Sequence, residues 1–271
     1  MPKVANDDLT AKLTAKDAPA AETPTVQALD ILRTVFPVIS LSKADDGQLA
    51  RADFFGTAFC VAPNVFMTAA HVVHAAEEHG TLGLAGPGTD VTGAAGAMGG
   101  RRVDHREIWD DRDVAVLYCN APGTLLNRWM VHPVQVLEDL GAFGYPHAVT
   151  RSEAGEQFNV LFRAYKGYVI TTRGFERLAA RSRVYELSCP FPEGLSGAPV
   201  LYNKHGVLAV AGMVLGESTV EYGGVDHRVG IALMADEIVG LHSERLRGGL
   251  AQQLDWEATF LAPSGVPPTG G

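Results

Sequence analysis

Short apolar runs separated by turn residues dominate the chain from about residue 34 onward, and they limit the fold more than any other feature. Each run is rich in Val, Ile, Phe or Tyr and is bounded by Gly, Pro, Asn or Asp, as in GTAFCVAP, VAVLYC, VYELSC and RVGIAL. Runs of this length and composition predict β-strands. Strands and helices do not alternate, which disfavours a parallel α/β sheet. We therefore predict an all-β barrel or sandwich, with helical candidates in HVVHAAEEH and MADEIVGLHSERL.

The composition is that of a globular protein and disfavours two classes of partner. The 271 residues are 46% hydrophobic and 20% charged, which is enough material for a large core. The net charge of −9 repels phosphate backbones, so nucleic acid is not an expected partner. No apolar run approaches the ~18 residues that a membrane-spanning helix needs, so no membrane association is expected either.

The two ends of the chain differ from its strand-rich middle. Residues 1–30 contain no aromatic residue and lack the apolar core of a signal peptide, which predicts a disordered N-terminal tail and a cytoplasmic protein. The strand-rich domain is expected over residues 31–248, followed by a C-terminal tail over 249–271 that ends in Pro and Gly. The three cysteines are odd in number and widely spaced, so we predict free thiols and no zinc ribbon.

The stretch MTAAHVVHAAEEH, residues 67–79, holds three histidines and two glutamates. On a helix, His71, His74 and Glu78 would share one face, and such a group can hold zinc. A single histidine of this stretch could instead carry out acid–base chemistry. The local sequence does not decide between the two, but the rest of the chain supplies partners for the second.

Three segments supply the residue types of nucleophilic catalysis. TAAH ends at His71, DDRDVAVL contains Asp113 at the head of an apolar strand, and EGLSGAP centres on Ser196. A serine hydroxyl is a poor nucleophile at neutral pH, and an imidazole that takes its proton activates it. A carboxylate can then orient the imidazole. Asp104, Asp110 and Asp111 compete for that place, but only Asp113 directly precedes the strand.

In this order these segments resemble the chymotrypsin-like (trypsin-like) serine peptidases, over roughly residues 34–245. The resemblance implies two packed six-stranded β-barrels that meet near residues 120–140, a short C-terminal helix and an active site in the crevice between the barrels. It implies a serine endopeptidase that cleaves a protein or peptide substrate through an acyl-enzyme, without a cofactor or a metal. By resemblance Ser196 is the nucleophile, His71 the base and Asp113 the orienting acid, and Gly194 and Ser196 supply the backbone N–H groups of the oxyanion hole.

Two positions depart from the digestive members of the family. Leu195 replaces the aspartate that pairs with a freshly cut N-terminus, and Val72 replaces the cysteine after the catalytic histidine. Both departures resemble compact bacterial intracellular peptidases, including those found in antiviral defence systems. Without N-terminal activation, control is expected from narrow specificity, or from a regulatory protein partner that orders the oxyanion loop, residues 190–197.

The resemblance also places the substrate-binding residues. Leu215 and Gly216 are expected to pair with the substrate backbone by strand addition. Glu193 and Glu217 are expected at the rim. Gly230 is expected near a pocket wall, and Pro190 lies where trypsin has its floor aspartate, so a preference for Lys or Arg is not supported.

Two other interpretations stay open at this point. One is a catalytically silent module that binds peptides in the same crevice. The other is an α/β-hydrolase elbow at GLSGA, which would use Asp226 or Asp236 with His227 or His242. That elbow asks for glycine where Ala198 stands, and the strand-rich chain argues against its fold.

Overall fold

The computed structural model describes residues 33–43, 49–87, 98–146, 162–176, 178, 181–204 and 207–259. Within them the chain forms two β-sheets, a two-stranded ribbon and three short helices. The predicted N-terminal tail, residues 1–30, lies outside the described residues. No helix in the described ranges is long and apolar enough to cross a membrane.

The first sheet forms the first barrel and has seven strands in the order β5-β4-β1-β2-β3-β7-β6. All of its pairings in the described ranges are antiparallel. Its strands are β1 Val35–Lys43, β2 Leu49–Ala62, β3 Val65–Thr68, β4 Thr81–Pro87, β5 Met98–Arg102, β6 His105–Trp109 and β7 Val114–Tyr118.

The second sheet forms the second barrel. Six of its strands close into a ring, β12-β9-β10-β11-β14-β13, because β12 also pairs with β13. Two further strands, β8 and β17, extend the sheet from β13. The strands are β8 Arg128–Met130, β9 Asp139–Gly144, β10 Arg163–Gly174, β11 Arg183–Leu187, β12 Pro199–Lys204, β13 Val207–Tyr222, β14 Val225–Met234 and β17 Glu257–Thr259.

The helices and the ribbon are short additions to the barrels. Helix α1, Ala70–His79, follows β3, whereas α2, Ala235–Val239, and α3, Leu250–Gln253, follow the second barrel, with β15, His242–Ser243, pairing with β16, Gly248–Gly249, between them. The predicted all-β class with two barrels and a short C-terminal helix is confirmed. The first sheet carries seven strands instead of six, because the chain between α1 and β6 supplies both β4 and β5.

Apolar side chains fill both barrels, as the short apolar runs predicted. Phe36, Phe59 and Phe66 are among the largest fully buried side chains of the first core, where the rings of Phe36 and Phe66 meet edge to face at 4.9 Å. A second core cluster includes Leu187, Leu195 and Phe191. Such burial of apolar area is the main contribution to folding free energy.

The chain after residue 249 differs in its first part from the tail that the sequence predicted. Strand β17 pairs in parallel with β8, and the Trp256 ring stacks on Trp129 with ring centroids 4.3 Å apart. The indole N–H of Trp256 also donates a hydrogen bond of 3.1 Å to the Val61 carbonyl oxygen. The Trp256 side chain thus joins this segment to both barrels. The Pro and Gly residues near the end of the chain do not predict these contacts. Residues 260–271 lie outside the described residues.

Candidate active site

His71 lies in the first turn of α1, and Asp113 forms hydrogen bonds to that turn. The first N–H groups of a helix have no partner within the helix, and Ala69, which precedes α1, has no side-chain acceptor. Asp113 takes this place. Its carbonyl oxygen accepts a hydrogen bond from the Ala70 N–H at 3.2 Å, and its Oδ1 accepts one from the His71 N–H at 2.9 Å.

The second carboxylate oxygen of Asp113 reaches the imidazole. Asp113 Oδ2 lies 2.7 Å from His71 Nδ1. When Nδ1–H donates to a carboxylate, Nε2 of the neutral ring carries no proton and is free to accept one. The Asp113 backbone has φ = +55°, a conformation that aspartate tolerates better than most residues. The turn between β6 and β7 therefore aims one carboxylate at both the backbone and the ring of His71.

A second histidine–aspartate pair lies one turn along α1. His74 Nε2 is 2.7 Å from Asp110 Oδ1, and both side chains are exposed, at 49% and 73%. Each histidine that the zinc alternative requires is thus held by its own carboxylate. Among the described residues, no group of three or more His, Cys, Asp or Glu side chains is arranged to hold a metal ion.

Ser196 lies in the tight turn between β11 and β12, flanked by two glycines with positive φ. Gly194 has φ = +88° and Gly197 has φ = +83°, conformations that favour glycine. A Cβ on Gly197 would also lie 2.2 Å from the Thr57 carbonyl oxygen. Ser196 Oγ donates a hydrogen bond of 3.2 Å to the Leu215 carbonyl oxygen. The described hydrogen bonds of Ser196 Oγ do not include one to His71.

Thr57 of the first barrel forms two hydrogen bonds to the oxyanion loop, and sequence reasoning missed it. The Thr57 N–H donates to the Ser196 carbonyl oxygen at 2.9 Å, and Thr57 Oγ1 donates to the Gly194 carbonyl oxygen at 3.0 Å. Oγ1 also accepts a hydrogen bond of 3.1 Å from the Tyr145 N–H. Thr57 is fully buried. The only sequence signal was one threonine in the apolar run GTAF, which does not distinguish it from a core residue.

Leu195 anchors the same loop in the second core. Its side chain is fully buried and packs in the cluster that contains Phe191 and Val200. A Cβ on Gly144 would lie 3.0 Å from Leu195 Cδ1, so a glycine at the end of β9 makes room for this leucine. The position that holds an ion-paired aspartate in digestive relatives is therefore an apolar anchor here.

A cleft of about 440 Å³ runs beside His71 and Asp113. The predicted residues Leu215, Gly216 and Glu217 line it. Its remaining lining residues, which sequence reasoning did not assign to a substrate cleft, are Ala70, His74, Asp110, Phe175, Leu178 and Ile231. Three other predicted substrate-binding residues are absent from this lining: Pro190 and Glu193 are exposed on the oxyanion loop, and Gly230 is buried on β14. Gly194 and Ser196 are also absent from it.

The structure also separates the alternatives that the sequence left open. Asp111 pairs with Arg112 at 3.7 Å and Asp110 with His74, so neither reaches His71. The strands beside Ser196 are antiparallel, because β12 pairs in that sense with both β9 and β13. An α/β-hydrolase elbow requires a parallel sheet at this point, so that interpretation is wrong.

The three cysteines carry free thiols and are poor nucleophiles. Burial raises the pKa of Cys60 to about 12 and that of Cys119 to about 11, and it also raises the pKa of Cys189. Because the thiolate is the reactive form, all three are almost entirely protonated at neutral pH. None of the three thiols is therefore a candidate nucleophile.

A family model and solved structures match this chain, although no curated protein does. The family model for the trypsin-like peptidase domain matches residues 56–210. The structure is similar to that of the Rv3671c protease from M. tuberculosis in its active form, with a TM-score of 0.52, 21% identity, and coverage of 80% of this chain and 82% of that chain.

An inactive form of Rv3671c from M. tuberculosis H37Rv, in which a serine is replaced by alanine, is similar to the same degree. The TM-score is again 0.52 and the identity 21%, with coverage of 83% of this chain and 92% of that chain. At this identity the structural likeness supports the fold, whereas the family model, which covers more than half of the chain, establishes membership. The chain belongs to the trypsin-like peptidase family and is a serine endopeptidase with the two-barrel, chymotrypsin-like fold.

Proposed function

We propose that this endopeptidase cleaves a protein substrate through a triad of His71, Asp113 and Ser196 and a covalent acyl-enzyme. One observation carries the proposal. The Asp113 carboxylate contacts both the backbone N–H and the Nδ1 atom of His71, so it fixes the imidazole ring. Nε2 is then available at the cleft. Leu215, which accepts the hydrogen bond from Ser196 Oγ, lines the same cleft.

Each residue then has one task. Ser196 Oγ attacks the scissile carbonyl carbon while His71 Nε2 takes its proton, and Asp113 stabilises the charged imidazole. The backbone N–H groups of Gly194 and Ser196 stabilise the oxyanion. His71 returns the proton to the leaving amine, and a water molecule activated by the same nitrogen releases the acyl group from Ser196.

The hydrogen bond from Ser196 to Leu215 suggests how substrate starts the reaction. A substrate strand that adds to β13 would offer its own N–H to the Leu215 carbonyl oxygen, which Ser196 Oγ occupies in the free protein. Substrate binding then releases the hydroxyl, and a rotation about χ1 turns it toward His71. Gly216, with open space where a Cβ would stand, lets the substrate backbone approach the strand closely.

The contacts of the oxyanion loop support a site that needs no cut N-terminus. Thr57 fixes the Gly194 carbonyl from the buried side, and Leu195 holds the loop in the second core. Pro190 and Pro192 restrict the same loop further. A loop held in this way is preorganised for oxyanion binding, which lowers the cost of reaching the transition state.

Labelling by a fluorophosphonate tests this function. We expect wild type to form a stoichiometric adduct that peptide mapping places on Ser196, and Ser196→Ala to form none. Ser218→Ala is the matched control, because it removes a partly exposed serine hydroxyl from the neighbouring strand β13, and it should label like wild type. An adduct on another residue would overturn the assignment of the nucleophile.

The alternative function is a catalytically silent or partner-activated peptide-binding module on the same fold. The bond between Ser196 Oγ and Leu215, in place of one to His71, is the observation that favours it. It predicts no labelling of wild type alone, together with saturable binding of peptides in the cleft. A cytoplasmic location in a bacterium, a regulatory protein partner and a role in antiviral defence stay predictions.

A further inference from the structure

Three elements, the oxyanion loop, β13 and β14, bound the space that a substrate side chain next to the cleaved bond would enter. A substrate strand added to β13 at Leu215 brings its carbonyl carbon to Ser196. The side chain on the acyl side of that bond then points between the oxyanion loop and the strands β13 and β14. Gly230 lies at the base of this space, because it pairs with Glu217 on one side and with Leu187 on the other.

The missing side chain at Gly230 does not imply that the substrate occupies the space beside it. A Cβ on Gly230 would lie 2.7 Å from Phe191 Cε2, 2.8 Å from Phe191 Cδ2 and 2.4 Å from the Cys189 carbonyl oxygen. The volume that a larger residue at position 230 would fill is therefore already occupied by the ring of Phe191 and the backbone beside it. The glycine accommodates a side chain of the protein itself.

Phe191 is packed as a core residue and not as a mobile gate. Its side chain is 3% exposed and belongs to the second core cluster, together with Leu195 and Val214. Pro190 and Pro192 flank it, and each proline fixes its own φ near −65°. Swinging the ring aside would expose apolar area and leave a cavity, both of which are unfavourable.

From this packing we propose that Phe191 closes the pocket next to Ser196, so that the enzyme accepts only a small uncharged residue, Gly, Ala or Ser, on the acyl side of the cleaved bond. The proposal rests on the function proposed above. It leaves the cleft of about 440 Å³ beside His71 free for a residue further along the substrate, because Phe191 does not line that cleft.

Activated esters of single N-acetyl amino acids test the proposal in the intact protein. We expect kcat/KM for the p-nitrophenyl ester of N-acetyl-alanine to exceed those for the phenylalanine and lysine esters by at least about tenfold, since a filled pocket rejects bulk sterically. A wild type that prefers the phenylalanine or lysine ester would overturn the proposal.

Substitution of the ring tests its cause. Phe191→Ala should lower the alanine-to-phenylalanine ratio of kcat/KM by at least about tenfold, and Phe191→Leu should lower it less, because leucine leaves less free volume. Phe36→Ala is the matched control: Phe36 is equally buried, at 2%, but lies on β1 of the first barrel, so its loss should leave the ratio unchanged. An unchanged ratio in folded Phe191→Leu and Phe191→Ala would also overturn the proposal.

The two proposals fail in different ways. If wild type is labelled at Ser196 but prefers large esters, the pocket proposal is wrong and the peptidase function stands. If wild type neither hydrolyses the alanine ester nor labels, the function is wrong and the pocket proposal falls with it. If Phe191→Ala does not fold, the ester preference of wild type and the ratio in Phe191→Leu still decide.

Discussion

Two histidine–aspartate pairs lie side by side at the start of α1, with the same distance between nitrogen and oxygen. His71 and Asp113 meet at 2.7 Å, and so do His74 and Asp110. Their surroundings differ. The Asp113 side chain is 18% exposed and also bonds the helix backbone, whereas the Asp110 side chain is 73% exposed.

The contact distance alone therefore does not identify a catalytic pair. An exposed ion pair exchanges readily with water and contributes little free energy. A carboxylate that is partly buried, and that also accepts a hydrogen bond from the helix backbone, keeps one orientation and so keeps the imidazole in one tautomer. By this criterion the pair of His71 and Asp113, and not that of His74 and Asp110, suits the role of base and orienting acid proposed above.

Removing each histidine in turn gives the largest expected contrast. We expect His71→Ala to lower kcat/KM for a small activated ester by at least about 10⁴-fold, because the base acts as a unit with the nucleophile. His74→Ala should stay close to wild type. Steady-state kinetics on both variants measures this difference, with circular dichroism to confirm folding. Equal losses in the two variants would show that the two pairs do not differ in function.

Changing each acid to its amide gives the next largest effect. Asp113→Asn keeps the shape but favours the wrong histidine tautomer, which should lower kcat by about 10³- to 10⁴-fold. Asp110→Asn should leave kcat unchanged. If Asp110→Asn lowered kcat strongly in the same ester assay while Asp113→Asn did not, the orienting acid would be Asp110.

Substitution of Thr57 tests whether the loop that carries Ser196 is also held in position by a residue of the first barrel. Thr57→Val keeps the shape but removes the hydroxyl that bonds Gly194, so the oxyanion donors lose their fixed position. We expect kcat to fall by about tenfold with little change in KM, which is less than the loss of a direct oxyanion donor. Thr57→Ser restores the hydroxyl and should restore kcat.

A merely structural role for Thr57 would lower the melting temperature of Thr57→Val and leave kcat of the folded fraction unchanged. Inhibition by a peptide boronate, which mimics the tetrahedral intermediate, provides a second measurement. Its Ki should rise in parallel with the loss of kcat, whereas an unchanged Ki would show that Thr57 does not act on the oxyanion loop.

The free energy of unfolding gives the smallest expected difference, and it separates the structural role of Asp113 at the start of α1 from its proposed catalytic role. Asp113→Ala loses the acceptor at the start of α1, which should lower the free energy of unfolding by about 1–2 kcal/mol. Asp113→Asn keeps an acceptor oxygen and should be more stable than Asp113→Ala although it is also impaired in catalysis. Asp110→Ala, an exposed residue, should change stability by less than about 0.5 kcal/mol. Urea denaturation measures all three.

Much of the fold was predictable, because strands and turns leave local patterns. The apolar runs predicted the all-β class, and the segments around His71, Asp113 and Ser196 predicted the family, both of which are confirmed. The same segments predicted that His71 and Asp113 meet, and the two side chains do lie in contact. The catalytic roles themselves stay predictions that the variants above test.

The rest depends on contacts between residues far apart in the chain. Thr57 and Gly194 are 137 positions apart, and nothing near Thr57 in the sequence indicates that it bonds the oxyanion loop. Gly230 was expected at a pocket wall, but its neighbour turned out to be Phe191, which follows from packing and leaves no local pattern. The C-terminal tail was predicted from the Pro and Gly residues near the end of the chain, whereas the stack of Trp256 on Trp129 joins residues far apart in the sequence and leaves no local pattern.

The stacked tryptophans set a lower limit for any shortened form of this protein. A chain cut after residue 248, where the domain was expected to end, would lose β17 and Trp256 and would uncover the indole face of Trp129, which is now fully buried. Exposed aromatic area next to a newly created edge strand, here β8, promotes self-association. Expression of the peptidase domain alone should therefore extend at least through Thr259, and a fusion partner should be joined beyond that residue.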